Sequence, residues 1–328
     1  MVPLASTYLR YYSLFCIPNL VGIALNSFVR NDGRPKLAMV STLSGAITNI
    51  ILDYVFIFPL GFGIKGAAIA TGLGQIVTIG ILLPHFIMKR GILTFGNIKL
   101  ESKIIKEFIN IGFPSFFAEV SFSIIIFFMN LALVRTGGET ALSSFAIINY
   151  ITTNIYMVLL GLSIGVQPLL SYNYGAQRYD RVKQAFKLLF ISSLTFTMCA
   201  VSLLMIFPEF FVKIFSGDIA LVEMTSWSMR IYFAGMGIFG MQLSCQQTFL
   251  SLGQAKISLF LALLRKMILL VPLIFILPMF ISDGLTAVLL AEPIADIIAC
   301  LTTTTMFVIF FKKNFPKDAQ NKVTAKAQ

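Results

Sequence analysis

Of 328 residues, 57% are hydrophobic and only 12% charged, against roughly 45–50% and 25% in an ordinary soluble domain. That balance excludes a soluble globular fold and predicts an all-α, polytopic membrane protein. The net charge of +11 follows from loop placement, so no nucleic-acid surface is needed to account for it.

In chain order, apolar stretches of membrane length recur between short polar loops. They predict nine spans, at about 8–29, 37–59, 66–88, 110–134, 142–170, 188–207, 226–251, 257–279 and 285–311. If residues 30–36 face the cytoplasm, then 89–107, 178–187, 251–256 and the tail after Phe311 do so as well, and these segments hold 18 of the 25 Lys and Arg residues. The positive-inside rule therefore selects an orientation with a cytoplasmic C-terminus, in the plasma membrane. Cys16, Cys199, Cys245 and Cys300 lie singly within spans and suggest neither a disulfide framework nor a zinc site. His85, the only histidine, sits near a span end, reads as interfacial, and leaves no triad to propose. No nucleophile, base and orienting group stand at workable spacing, so an enzyme is not expected.

The sequence also repeats itself. Gly33-Arg-Pro-Lys36, Pro59 and Gly66 near the start are echoed by Gly253-Gln-Ala-Lys256, Pro278 and Gly284 near the end. The Gly-to-Pro separations are 26 and 25, and the Gly-to-Gly separations 33 and 31. Spans one to three thus copy spans seven to nine, and repeated halves are a common plan for transporters. Spans four to six lack a counterpart, which predicts three further spans ahead of Met1 and an N-terminally truncated or mis-started chain. On this reading residues 1–90 are three helices of a first bundle and 91–107 a cytoplasmic linker. Residues 108–312 are a complete six-helix second bundle, and 313–328 a cytoplasmic tail.

Ionisable side chains inside spans are costly and by default mark a pathway. Asn49 and Asp53, four apart, share a helix face, and Thr71 in the next span can reach the same depth, about 10 Å inward from its outer end. The bland alternative is that Asp53 ends its span and bonds to Tyr54 or backbone. Glu119 lies about 18 Å into its span, near mid-membrane, where desolvation would suit a carboxyl to exchange a proton or bind sodium. Its alternative is a protonated acid hydrogen-bonded between helices. Arg265 stands at a depth similar to that of Glu292 and Asp296 on the adjacent antiparallel span, so the three should pair as a structural charge network. Lys266 can join them, although it points about 100° away from Arg265 on an α-helix.

The stretches RNDGRPKLAM (30–39), NIILD (49–53) and FGIKGAAIAT (62–71) resemble the first half of a multidrug and toxic compound extrusion (MATE) transporter. IGFPSFFAEVSFS (111–123), GLSIGVQPLLSYNYGAQRYDRV (161–182) and AEPIAD (291–296) resemble its second half. The resemblance covers nearly the whole chain and implies a twelve-helix fold of two pseudo-symmetric six-helix bundles. It further implies antiport of amphipathic cationic small molecules against H⁺ or Na⁺ by alternating access, with membrane lipid the only macroscopic partner, no cofactor, and a monomeric protein. It makes Asn49, Asp53 and Thr71 three members of a cation-linked network, and Glu119 an acid facing a second-half cavity; Na⁺ at Asp53 or Glu119 is the only metal so implied. The stretch GMQLSCQQTFLSLG (240–253) lacks the acid that some members carry there. Two alternatives stay open: an inactive truncated remnant, and a related lipid or oligosaccharide flippase.

Overall fold

A computed structural model of the protein describes residues 2–96 and 101–314, and every regular element among them is helical. Seven described helices are long and apolar enough to cross a membrane. The chain divides into two compact units, Met1–Leu100 and Glu101–Gln328.

The first unit holds α1 (Val2–Tyr12), a 3₁₀ turn (Ser13–Phe15), α2 (Cys16–Asn31), α3 (Pro35–Ile57) and α4 (Gly63–Ile87). Two opposed glycines set the approach of α3 and α4. A Cβ on Gly45 would lie 2.7 Å from the Gly74 carbonyl oxygen, and one on Gly74 would lie 2.7 Å from that of Gly45. The backbones therefore touch, as small-residue interfaces in membranes allow. Asn49 stands one turn beyond Gly45 and Thr71 just short of Gly74, so this contact fixes their register.

The second unit begins with α5 (Ser102–Gly175), helical throughout except at Gly138, whose φ of 68° and ψ of −158° fold it into two spans. Two expected spans are thus joined through one glycine, and the helix starts inside the expected linker, of which residues 97–100 lie outside the described residues, as does the tail from 315. After α6 (Tyr179–Ile206) and the short α7 (Pro208–Lys213) come α8 (Ile219–Tyr232) and α9 (Phe239–Ser251). The single span expected over 226–251 is therefore broken, with a 3₁₀ turn at Met236–Ile238. Gly235 and Gly237 ease the break, and local bonds from the Ala234 and Met236 amides to the Ile231 and Phe233 carbonyls, 3.2 and 3.1 Å, carry its backbone.

The next crossing, Ala255–Met279, opens with α10 (Ala255–Leu263), continues as a π-helix over Leu264–Leu270 and closes through α11 (Val271–Ile276). The last helix, α12 (Gly284–Asn314), is N-capped by Asp283, which accepts from the Leu285 amide at 3.2 Å. Met129, Leu133, Ile148, Leu159, Met229 and Phe233 form the centre of the core.

Gly33 and Gly253, which carry the sequence repeat, adopt φ of 77° and 76°. Each ends its helix the same way: the Arg34 amide donates to the Val29 carbonyl at 3.1 Å, and the Gln254 amide to that of Phe249 at 2.8 Å. These are paired Schellman caps. Lys89 and Gln177 make the same six-residue closure at φ of 51° and 57°, without glycine's freedom.

Two substitutions test the glycine contact. Gly74→Ala should cost about 1–3 kcal/mol through overpacking. Gly80→Ala, in the same helix with nothing within 4 Å of the added Cβ, should be neutral or gain up to about 1 kcal/mol from helix propensity; thermal unfolding of the detergent-solubilised protein reads both.

Candidate functional site

Polar side chains inside the spans gather in three places. In the α3–α4 pair, the Asn49 amide donates to the Thr71 hydroxyl at 3.4 Å, and Thr71 donates to the Ala67 carbonyl at 2.9 Å. Asp53 is half-buried one turn further along α3, and its Oδ1 is buried with no hydrogen-bond partner among the described residues. Tyr54 instead points outward, 64% exposed. The structure thus brings Asn49, Asp53 and Thr71 to one helical interface, with an acceptor oxygen left over.

At the other end of this unit is a constellation that sequence reasoning missed. His85, in the last turn of α4, is buried, and its Nε2 lies 2.7 Å from Asp32 Oδ2. The same carboxylate accepts from the Ile92 amide at 2.9 Å and from that of Leu93 at 3.4 Å, while Arg34 donates to the Arg90 carbonyl at 2.8 Å. The α2–α3 turn therefore grips the segment that leaves α4. The hydrogen bond from His85 holds the Asp32 carboxyl below its ordinary range, with the two backbone amides adding to the effect. The signal available in the sequence was the pairing of the chain's one histidine with an acid in the RNDGRP turn.

The third place is a cavity of about 160 Å³ in the second unit. Its polar lining comes from Glu119, Asn149 and Thr152 on α5, Gln246 on α9, Arg265 and Lys266 in the π-helix, and Glu292 on α12. Phe122, Met129, Tyr156, Met157 and Phe239 supply apolar surface. Arg265 donates through Nε to Asp296 Oδ1 at 2.5 Å and through a terminal nitrogen to Glu292 Oε1 at 2.9 Å. All three are buried, at 8%, 1% and 7% exposure, and the guanidinium lies 4.3 Å from the Phe239 ring centroid. Arg265, Glu292 and Asp296 therefore form one forked ion cluster.

Glu119 lines the cavity, and its side chain is exposed. Lys266 lines the same cavity, its ammonium 3.9 Å from the Phe122 ring centroid. Arg265 and Lys266 both lie in the π-helix Leu264–Leu270, whose i→i+5 bonding widens the turn. Periodicity could not show this, because an apolar run of the same length reads identically as α-helix.

Comparison with known proteins adds three findings. The MatE family model matches residues 1–55 and 114–276. The chain is 27% identical over 315 residues to the multidrug export protein MepA of Staphylococcus aureus strain N315, covering 95% of this chain and 68% of that protein. It is 24% identical over 312 residues to MepA of Staphylococcus saprophyticus, covering 94% and 67%. Among solved structures, one of MATE in the straight conformation superposes with a TM-score of 0.87 at 22% identity, covering 94% of this chain and 69% of that one. A transporter from Pyrococcus furiosus, described as having a binding pocket of reversed polarity, superposes at 0.85 and 23%, covering 93% and 69%.

Two outcomes follow from the geometry. Arg265→Met leaves two buried carboxylates without their counter-charge and should destabilise the protein by about 3–5 kcal/mol, read as lost yield and a lower midpoint of thermal unfolding. The Asp32 grip should weaken in acid: a carboxyl depressed in the folded state contributes stability above its unfolded pKa of about 3.9, and loses it as pH falls through the lower folded value. Hydrogen exchange at Ile92 and Leu93, corrected for intrinsic rate, should lose protection below about pH 4, and at neutral pH in Asp32→Asn.

Proposed function

The chain belongs to the MATE family of multi-pass membrane transporters, and on that premise we propose that it exports structurally varied amphipathic compounds from the cell by antiport with H⁺ or Na⁺. The observation that carries this reading is the second-unit cavity, where charged and amide side chains face flexible methionine and flat aromatic surfaces. Such walls accept varied shapes, and relatives that share two thirds of their length with this chain are named multidrug export proteins.

Coupling needs an acid that exchanges a cation with one side of the membrane at a time. Asp53 offers a carboxyl with one unpartnered buried oxygen beside Asn49 and Thr71, a set of oxygen donors suited to a hard cation or a proton. Glu119 offers a second carboxyl within the cavity itself. In this proposal an inward-moving ion occupies these carboxyls and favours one access state; its release, and the departure of a cationic cargo, accompany the other. The broken α8–α9 segment and the π-helix are two of the places where the second unit's backbone departs from regular α-helix, as cavity-lining segments of transporters do. Loop charge assigns the C-terminus to the cytoplasm, and the exporter is taken to act as a monomer in the plasma membrane without a cofactor.

Efflux of a fluorescent lipophilic cation from cells expressing the protein tests the assignment. The Asp53→Asn, Glu119→Gln double variant should fall to the rate of cells lacking the protein, with membrane abundance unchanged; wild-type efflux in that variant would sink it. Proteoliposomes given a pH gradient or a sodium gradient alone separate the two ions.

A further inference from the structure

The cavity of the second unit contains one carboxylate and one ammonium that make no direct ion pair among the described residues. Arg265 occupies both Glu292 and Asp296. Among the described residues, Lys266 has no carboxylate oxygen within 4.0 Å and rests on the face of Phe122 at 3.9 Å, and Glu119 makes no ion pair. Glu119 and Phe122, three residues apart, share a face of α5 about 4.5 Å apart along the axis. The stranded positive charge and the stranded negative charge therefore stand at adjoining positions on one wall.

That wall discriminates. A guest bearing only an ammonium gains Glu119 but meets the like charge of Lys266 close by. A guest bearing only a carboxylate meets the converse. A molecule carrying both groups on neighbouring atoms gives both side chains a partner at once. A volume of about 160 Å³ is room for on the order of ten waters, the scale of an amino acid with a large side chain.

We propose that this cavity is a binding site for aromatic zwitterions with an α-amino-carboxylate head, the carboxylate on Lys266, the ammonium on Glu119, and the ring against Phe239 and Met157. The export reading supplies what happens next to the bound guest, and the zwitterion adds a second class of guest to the cationic cargo of that reading.

Equilibrium binding to the purified full chain in nanodiscs tests it with three probes sharing one ring: L-tryptophan, tryptamine, which lacks the carboxylate, and indole-3-propionate, which lacks the amine. Tryptophan should bind at least about tenfold tighter than either, by the two charge contacts that each analogue halves. Lys266→Gln should erase the advantage over tryptamine and Lys266→Arg retain it; Glu119→Gln should erase the advantage over indole-3-propionate. Tryptamine binding as tightly as tryptophan, a preference unmoved by Lys266→Gln in a variant that still unfolds at the wild-type temperature, or no binding of any probe at millimolar concentration would each overturn the proposal. Loss of dye export with the tryptophan preference intact would overturn the export reading alone.

Discussion

An ionised side chain in an apolar slab has no water to fall back on, and the second unit meets that constraint with one guanidinium. Arg265 reaches two carboxylates of α12 at 2.5 and 2.9 Å and lays its flat face on Phe239. A lysine would fit less well, since its compact ammonium lacks the rigid planar fork that reaches two carboxylates while lying flat on a ring. With the fork in place, Glu292 and Asp296 can stand one turn apart in a buried helix. The cavity wall then holds its remaining charges, Lys266 and Glu119, as reagents for a guest instead of as repairs to the fold.

The first unit answers the same constraint with close approach. Where Gly45 and Gly74 bring two backbones into contact, the neighbouring amide and hydroxyl meet without water between them, and Asp53 is carried to the edge of the pair. Helix association in a membrane lacks the hydrophobic drive available in water, so removing two Cβ atoms is itself the attraction: it lengthens the surface over which dispersion acts and sets polar groups at bonding range.

Much of this was legible in the sequence. Seven of the described helices are long and apolar enough to cross a membrane, and Gly33 and Gly253, on which the repeat rests, end their helices with the same cap, as Lys89 and Gln177 also do. Facing depth was enough to pair Arg265 with Glu292 and Asp296, because opposite charges buried in adjacent antiparallel helices have few other places to go. What stayed hidden is instructive. The interruption between Tyr232 and Phe239 and the π-helix at Leu264–Leu270 change hydrogen-bond register without changing composition, so no hydropathy pattern reports them. His85 and Asp32 lie 53 residues apart, and each looks like an ordinary interfacial residue until the chain is folded. Glu119 shows a limit of the same kind: depth along a helix says nothing about which side of that helix is covered.

The grip of Asp32 on residues 92 and 93 also has a mechanical side. The segment that leaves the first unit is not simply the frayed end of α4; it is clamped by a turn belonging to two other helices. A tug arriving along it is borne by the α2–α3 corner before it can unwind the last turn of α4, much as a cable clamp spares the joint behind it. The carboxylate thereby makes three helices answer as one body to any force the connecting chain transmits.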